Sequence, residues 1–312
     1  MTDALSPADP LTEDQFIGLV RILRTADGGD WSEAALRRRA ASVPGGWVRA
    51  AGGALGADVP RLILNPDDGG EGGGADGDGP AGAAPLPTLL ELAGRALDEP
   101  PGTVGGGPTG PFARWRDRGT TLHLTPTRLE LRRTDDLERD EWTAFEWGPS
   151  DPSRLPYTWL VCEAGPGAGE RVPDYLPAAR PAADLAEAEE ALAGLLRALC
   201  AQLPQFGEEA AVVVCTAKEP TWFVQFVADA RGRLHAEASG TPGPAWHPVE
   251  GRAGLHFHDW VRPDAEQSRE AAALMVDALR RLGVRRPDEL RIRCWTQAGN
   301  HLRLAGLGLL PD

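Results

Sequence analysis

A chain of 312 residues, 42% of them apolar and 25% charged, is long enough for two domains with cores of their own. Its formal net charge of -14 falls on both halves and would repel a phosphate backbone, and no run approaches the roughly 18 apolar residues that cross a bilayer. The expectation is a protein that takes neither nucleic acid nor membrane as partner.

Cys162, Cys200, Cys215 and Cys294 are widely spaced in or beside apolar segments, and read as small buried hydrophobes of a reducing cytosol. The acidic start, Met1 to Pro10, lacks the apolar stretch of a secretory signal, so a cytoplasmic location is expected. Lys218 is the only lysine, and with abundant Ala, Gly and Pro this points to a GC-rich, actinobacterial genome. Chemistry that needs a lysine would have to use Lys218, which lies in a Lys218-Glu219-Pro220 turn.

Along the chain, Thr12 and Gln15 form a capping pair ahead of Phe16, Leu19, Val20 and Leu23, a short helix. Trp31 to Ala41 is a second helix and Val59 to Leu64 a strand. Asp67 to Ala84, largely Gly, Asp, Ala and Glu, is expected to be a disordered surface loop. Leu86 to Leu97 is a helix, followed by a meander of Phe112–Trp115, Thr120–Leu124 and Arg128–Arg132. Trp142–Trp147 and Tyr157–Cys162 are further strand candidates. Residues 164–182, rich in proline and glycine, read as a linker between a domain over 1–163 and another over 183–312.

In the second domain, Asp184 with Glu187 opens a helix carrying Leu185, Ala188, Leu192, Leu195, Leu196, Leu199 and Leu203, and Pro204 closes it. Ala211–Cys215 and Thr221–Ala228 are strands. Asp229-Ala230-Arg231-Gly232 suits a hairpin with glycine at the left-handed position, and Arg233–Ala238 alternates Leu234, Ala236 and Ala238 inward with Arg233, His235 and Glu237 outward. Asp264 with Gln267 caps a second helix with a stripe of Ala271, Leu274, Met275, Ala278, Leu279 and Leu282, ended by Gly283. Leu290, Ile292 and Cys294 then alternate with Arg291, Arg293 and Trp295, and a turn at Gln297–Asn300 leads to His301–Ala305 as a hairpin. The fold expected is α+β in two small units, each an antiparallel sheet packed on helices, the second in the order α-β-β-β-α-β-β.

Val224-Gln225-Phe226, the Asp229–Gly232 turn, Leu234–Ala238 and the long helix from Asp264 resemble the small α/β domain of type III secretion chaperones and YbjN-type proteins. The proline- and glycine-rich Gly240–Gly254 departs from that pattern. The resemblance implies a chaperone-like or adaptor protein that binds a polypeptide without doing chemistry, and dimerisation through such a domain, as a homodimer or as a pseudo-dimer within one chain. The Leu86 helix with Phe112–Arg116 and Thr120–Leu124 is similar to small uncharacterised actinobacterial domains, which brings no activity with it.

No enzyme signature competes. There is no Gly-x-Ser-x-Gly elbow, and Gly165–Gly169 lacks the Gly-Lys-Ser/Thr of a phosphate loop. Asp135-Asp136 reads as a solvated turn, and the arginine clusters Arg37-Arg38-Arg39 and Arg280-Arg281 as solvated helix faces. His256 and His258, on one side of any strand and with His247 nearby, are the one metal-ligating candidate, which would make a metal-dependent hydrolase. The other alternative is an immunity or inhibitor protein meeting a basic bacterial toxin with acidic charge. The expectation is no cofactor, no metal and no catalytic residue. The partner-binding residues expected are Phe223, Gln225, Val227, Arg233, His235, Arg291, Arg293 and Trp295, on the sheet face opposite Leu234, Ala236, Leu290 and Ile292, with the Trp222 register of the central strand as an alternative. Of the ten tryptophans, Trp222, Trp260, Trp295, Trp142 and Trp147 are candidates for outward positions.

Overall fold

A computed structural model describes residues 12–25, 30–43, 48–51, 61–64, 85–117, 119–146, 155–162, 182–305 and 307–311. The expected loop at 67–84 and the expected linker, Ala182 apart, lie outside these residues, as does Trp147. The chain divides into two compact units, Met1–Val104 with Phe112–Asp140 and Gly167–Asp174, and Gly105–Pro111 with Glu141–Pro166 and Tyr175–Asp312. It therefore passes between units more than once, where the sequence suggested a single passage at 164–182. Each unit holds strands and helices, and the fold is α+β.

The first unit contains helices α1 (Glu13–Thr25), α2 (Glu33–Ser42) and α3 (Leu86–Leu97), with strands β1 (Val48–Ala51), β2 (Arg61–Leu64), β4 (Phe112–Arg116), β5 (Thr120–Leu124) and β6 (Leu129–Arg133). Strand β3 (Thr103–Gly106) begins here and ends in the other unit. The Thr12 and Gln15 pair caps α1 reciprocally, each side chain accepting from the other's backbone N–H. The strands run β1-β2-β6-β5-β4, all antiparallel. One face is apolar: Trp115, Leu122 and Leu131 form a buried cross-strand row, and Ala113, Leu124 and Leu129 the next. Helices α1 and α3 pack together beside it, where Trp115 Nε1 donates to Glu99 O at 3.1 Å and Arg24 pairs with Glu99 at 3.1 Å.

Helix α4 (Thr134–Glu146) replaces both the expected Asp135-Asp136 turn and the expected strand Trp142–Trp147. The buried residues Leu137, Glu141 and Phe145 recur every four positions, a helical period, and leave Trp142 outward at 39% exposure. Asp135 and Asp136 fall in its first turn, where a helix N-terminus favours negative charge.

In the second unit, β7 (Trp159–Cys162) pairs antiparallel with β14 (His301–Leu304) and neighbours the end of β3. Gly106 and Gly107 allow this approach: a Cβ on Gly107 would stand 2.7 Å from Thr158 N and 2.9 Å from Tyr157 Cα. Gln202 Nε2 donates to Gly107 O at 2.8 Å, tying the end of helix α5 (Leu185–Gln202) to the same place. Asp184 caps α5 by accepting from Ala186 N and Glu187 N, while Glu187 reaches Ala183 N rather than its cap residue. A short 3-10 turn, Leu203–Phe206, follows with Pro204 inside it.

The main sheet of this unit has β8 (Ala210–Thr216), β9 (Phe223–Ala228), β10 (Arg233–Ser239), β11 (His247–Pro248), β12 (Leu255–Val261), β13 (Leu290–Thr296) and β15 (Leu310–Pro311), in the order β11-β12-β10-β9-β8-β13-β15. All neighbours are antiparallel except β13 with β15. The β9–β10 turn is as expected: Asp229 accepts from Arg231 N and Arg233 N, each at 2.8 Å, and Gly232 has φ +77. Burial would raise the Asp229 pKa, but the bonds from Arg233 and Arg231 outweigh it and hold the carboxyl below its ordinary value.

Helix α6 (Ala265–Arg281) has the full capping box of Asp264 and Gln267, and Gly283 at φ +91 ends it, with Val284 N bonded to Leu279 O. Its buried positions include Ala271, Met275, Ala278 and Leu279, with Leu274 and Leu282 half-buried. Helices α5 and α6 lie side by side, and both pack on β9 and β10.

Two differences from the expected order stand out. Leu255–Val261 is a full strand, added between α6 and the proline-rich stretch and paired with β10 along its length. And β14, though it follows a turn with Gly299 at φ +83, does not fold back on β13 as a hairpin; it pairs with β7.

Candidate binding face

Strand alternation gives the second unit's sheet two unlike faces. Toward α5 and α6 it turns Val212, Val214, Val224, Phe226, Ala228, Leu234, Ala236, Ala238, Trp260 and Leu290, all buried. Phe226 is only 1% exposed. Trp260 therefore belongs to the core side, opposite Leu234, and not to the outward set.

The other face is ordered by register into three cross-strand rows. Trp295, Ala211, Val227, His235 and Asp259 form the first. Arg293, Val213, Gln225, Glu237 and Phe257 form the second. Arg291, Cys215 and Phe223 form the third, where Phe223 N donates to Ser239 Oγ at 2.8 Å. The register thus joins Phe223, Gln225 and Val227 to this face and settles the alternative left open by the sequence. Trp222 is 48% exposed but belongs to the parity of Val224 and Phe226.

Seven of the eight expected residues fall within these rows, and Arg233, also on this parity, lies at the end of β10 bonded to Asp229 at 2.8 Å. Trp295 is 46% exposed and Arg293 exposed, while Phe223, Gln225 and Val227 are half-buried. Arg291 is half-buried, its Nη1 donating to the carbonyls of Asp288 and Leu290 at 3.0 and 2.7 Å.

The sequence reading turned Glu237 outward with His235 but missed Phe257 and Asp259 as members of the face. His235 Nδ1 lies 2.6 Å from Asp259 Oδ1 and its Nε2 3.5 Å from Glu237 Oε1, and its ring stacks on Phe257 with centroids 6.0 Å apart. Glu237 also accepts from Gln225 Nε2. The signal was present in Leu255-His256-Phe257-His258-Asp259-Trp260, where Phe257 and Asp259 share the parity opposite to Trp260.

The imidazoles considered for a metal lie on β11 and β12. His247 pairs in register with Phe257, and His256 and His258 take the opposite side of β12. His247 and His258 rings stack with centroids 5.8 Å apart, and His258 Nδ1 donates to Ala245 O at 3.0 Å, which fixes its tautomer. Among the described residues no group of three His, Cys, Asp or Glu side chains is disposed to hold a metal ion.

In the first unit, the face of β4-β5-β6 opposite Trp115 carries a charged row, Arg114, His123 and Glu130. Arg114 Nε donates to His123 Nδ1 at 3.2 Å and its guanidinium lies 4.2 Å from the centre of the Phe112 ring. Arg128 pairs with Glu130 at 2.8 Å, Arg116 with Glu138 at 2.6 Å, and Arg132 with Asp140. Burial, then the cations of Arg114, Arg132 and Arg128, hold the His123 imidazole well below its ordinary 6.5. His123 is thus a neutral imidazole that accepts from arginine within a row of ion pairs.

Burial pushes the Cys200 thiol up to about 12, helped by the Asp229 charge, and burial raises Cys294 despite Arg303. Neither is poised as a nucleophile. Among the described residues no helix is long and apolar enough to cross a membrane. No family model, no curated protein and no solved structure matches this chain.

Proposed function

We propose that this protein is a non-enzymatic, chaperone-like adaptor that holds a polypeptide partner on the outer face of its seven-stranded sheet. One observation carries the reading: a half-exposed Trp295 stands beside Arg291 and Arg293, next to a half-buried apolar field of Ala211, Val213, Phe223 and Val227. Tryptophan and arginine around an apolar centre are the composition of interface hot spots. The likeness of the β9–β10 hairpin and α6 to secretion-chaperone and YbjN-type domains supports the same function.

The test compares proteins retained from the native host by the wild-type chain, by Arg293→Ala with Trp295→Ala, and by Trp222→Ala. The double variant is expected to lose a partner that Trp222→Ala keeps, with circular dichroism unchanged. Equal retention by all three chains would refute the assignment of binding to this face.

A further inference from the structure

Between β10 and β12 the chain runs out over Gly240–Gly254 and returns to where it left, Gly240 N donating to Gly254 O at 2.8 Å. Ends that meet in this way close an Ω-loop, a form that often carries function. Both closing residues are glycines at positive φ, +80 and +77, a backbone state in which other residues are strained. Between them Pro242, Pro244 and Pro248 restrict the backbone, so the segment is stiff where it is not hinged.

This segment is held by little. From Thr241 to Gly254 every residue is exposed or half-buried except Pro242 and Trp246, the latter 4% exposed. Its share of the sheet is β11, whose two residues pair with Phe257 and His256. Val249 N also donates to Leu255 O at 2.9 Å, and His258 Nδ1 to Ala245 O at 3.0 Å. Trp246 is thus the one large buried side chain in the segment. Among the described residues its indole Nε1 is buried with no hydrogen-bond partner, which gives back part of what burying the ring gains.

We infer that Gly240–Gly254 is a detachable strap, hinged at Gly240 and Gly254 and latched by Trp246, that guards the β12 end of the seven-stranded sheet. Closed, it sets the His247 ring beside Phe257, with centroids 5.7 Å apart, and occupies the β12 edge at His256 and Phe257. Open, it withdraws the latch and the β11 pairing together, while β12 stays paired with β10 along its length. Phe257 ends the second row of the outer face, so the strap sets how far that face extends. Covering an edge with a loop is also one way in which folded chains keep their sheets from pairing with one another. A single large anchor and few main-chain bonds place the strap at the low end of local stability, so it opens without the sheet behind it.

Amide hydrogen exchange followed by NMR on the full-length chain tests this in the wild type, in Trp246→Ala and in the exposed-tryptophan control Trp222→Ala. Val249 N bonds to Leu255 O, so two residues along the ladder His247 and Phe257 form its next hydrogen-bonded pair. The amides of His247, Val249 and Phe257 therefore report the strap, and those of His256 and His258, which alternate toward β10, report the sheet. In the wild type the strap amides are expected to share one protection, at least about 100-fold below that of His256 and His258. Trp246→Ala is expected to lower it by at least about a further 10-fold and leave His256, His258 and Phe226 unchanged, and Trp222→Ala to move neither group. Equal protection of Phe257 and His258 in the wild type would overturn the separate opening. Strap protection unchanged in Trp246→Ala would overturn the latch. A Trp246→Ala chain that unfolds, or loses protection equally throughout, would make Trp246 part of the sheet's own core and overturn both. These readouts involve no partner, so their failure would leave the binding reading untouched.

Discussion

Leu279 in α6 tests whether the helix stripe and the inner sheet face form one core. It is 3% exposed, between Ala278 and the cap at Leu282 and Gly283, and its carbonyl accepts from Val284 N. Leu279→Ala keeps the helix propensity high and the carbonyl bond intact, so the loss is one of packing. Three carbon atoms leave an apolar environment, and at about 0.8 kcal/mol each the transfer term is about 2.4 kcal/mol. Whatever volume the neighbours fail to fill adds to this, up to a total of about 5 kcal/mol. Leu274→Ala is the control: the same chemical change on the same helix, at a half-buried position. Urea unfolding of both variants should give unchanged slopes, with the Leu279→Ala midpoint lowered by at least twice as much as that of Leu274→Ala. Equal costs, or a Leu279→Ala cost under about 1 kcal/mol, would mean that this position is not packed against the sheet.

The other predictions concern single sites. Gly107→Ala should destabilise by about 1–3 kcal/mol, because the backbone of Thr158 and Tyr157 cannot yield, and Gly106→Ala by a similar amount, because its Cβ would meet the buried Trp159 ring at 2.9 Å as well as the hydrogen-bonded end of Gln202; thermal melts of both variants check this. His123 is depressed in the folded state, so the unfolded chain binds its proton first. The stability it contributes is present in full above about pH 6.5 and is lost as pH falls below that value toward the lower folded pKa. Between pH 7 and pH 5 the wild type should therefore lose more stability than His123→Gln, whose amide oxygen can still accept from Arg114; parallel pH dependences would refute this. Cys200, held up at about 12, should resist iodoacetamide at pH 8 in the folded protein and react only after denaturation, as mass spectrometry of the alkylated peptide would show.

What could be read from the sequence was what is encoded locally. The capping pairs at Thr12 and Asp264, the Asp229–Gly232 turn and the glycine stop at Gly283 each involve residues within about five positions, and each forms as the sequence implies. The alternation within β9, β10 and β13 was likewise legible, but which side of β9 joins the outer face was not, because that depends on the register between strands. Strand β12 was hidden because its hydrophobic contrast is weak: Leu255, His256, Phe257 and His258 are all half-buried, and within the strand only Trp260 is buried. The α4 helix was hidden for the opposite reason, since aromatic Trp142 and Phe145 suggested a strand while the four-residue spacing of buried positions carried the true period. The pairing of β14 with β7 joins residues about 140 positions apart, and nothing in the tight turn before β14 specifies it.

The same sheet offers a partner two routes, its face or its edges, and the edges are the poorer one. The outermost strands, β11 and β15, are two residues each, too short to template a third strand in a defined register. Beyond β11, the stretch of β12 from His258 to Val261 remains, with Val261 72% exposed. It is only four residues, it carries Asp259, and Arg262 at φ +50 turns the chain away at its end. Added strands draw their affinity from a run of main-chain hydrogen bonds. Four residues supply few of them, whereas the face presents three registered rows, two of them across five strands, with an aromatic anchor and charged side chains of both signs. On the proposed reading, binding at the face leaves side-chain chemistry to choose the partner, so substitutions at Trp295 and Arg293 would abolish it and proline in β12 would not, whereas binding at the edge predicts the reverse.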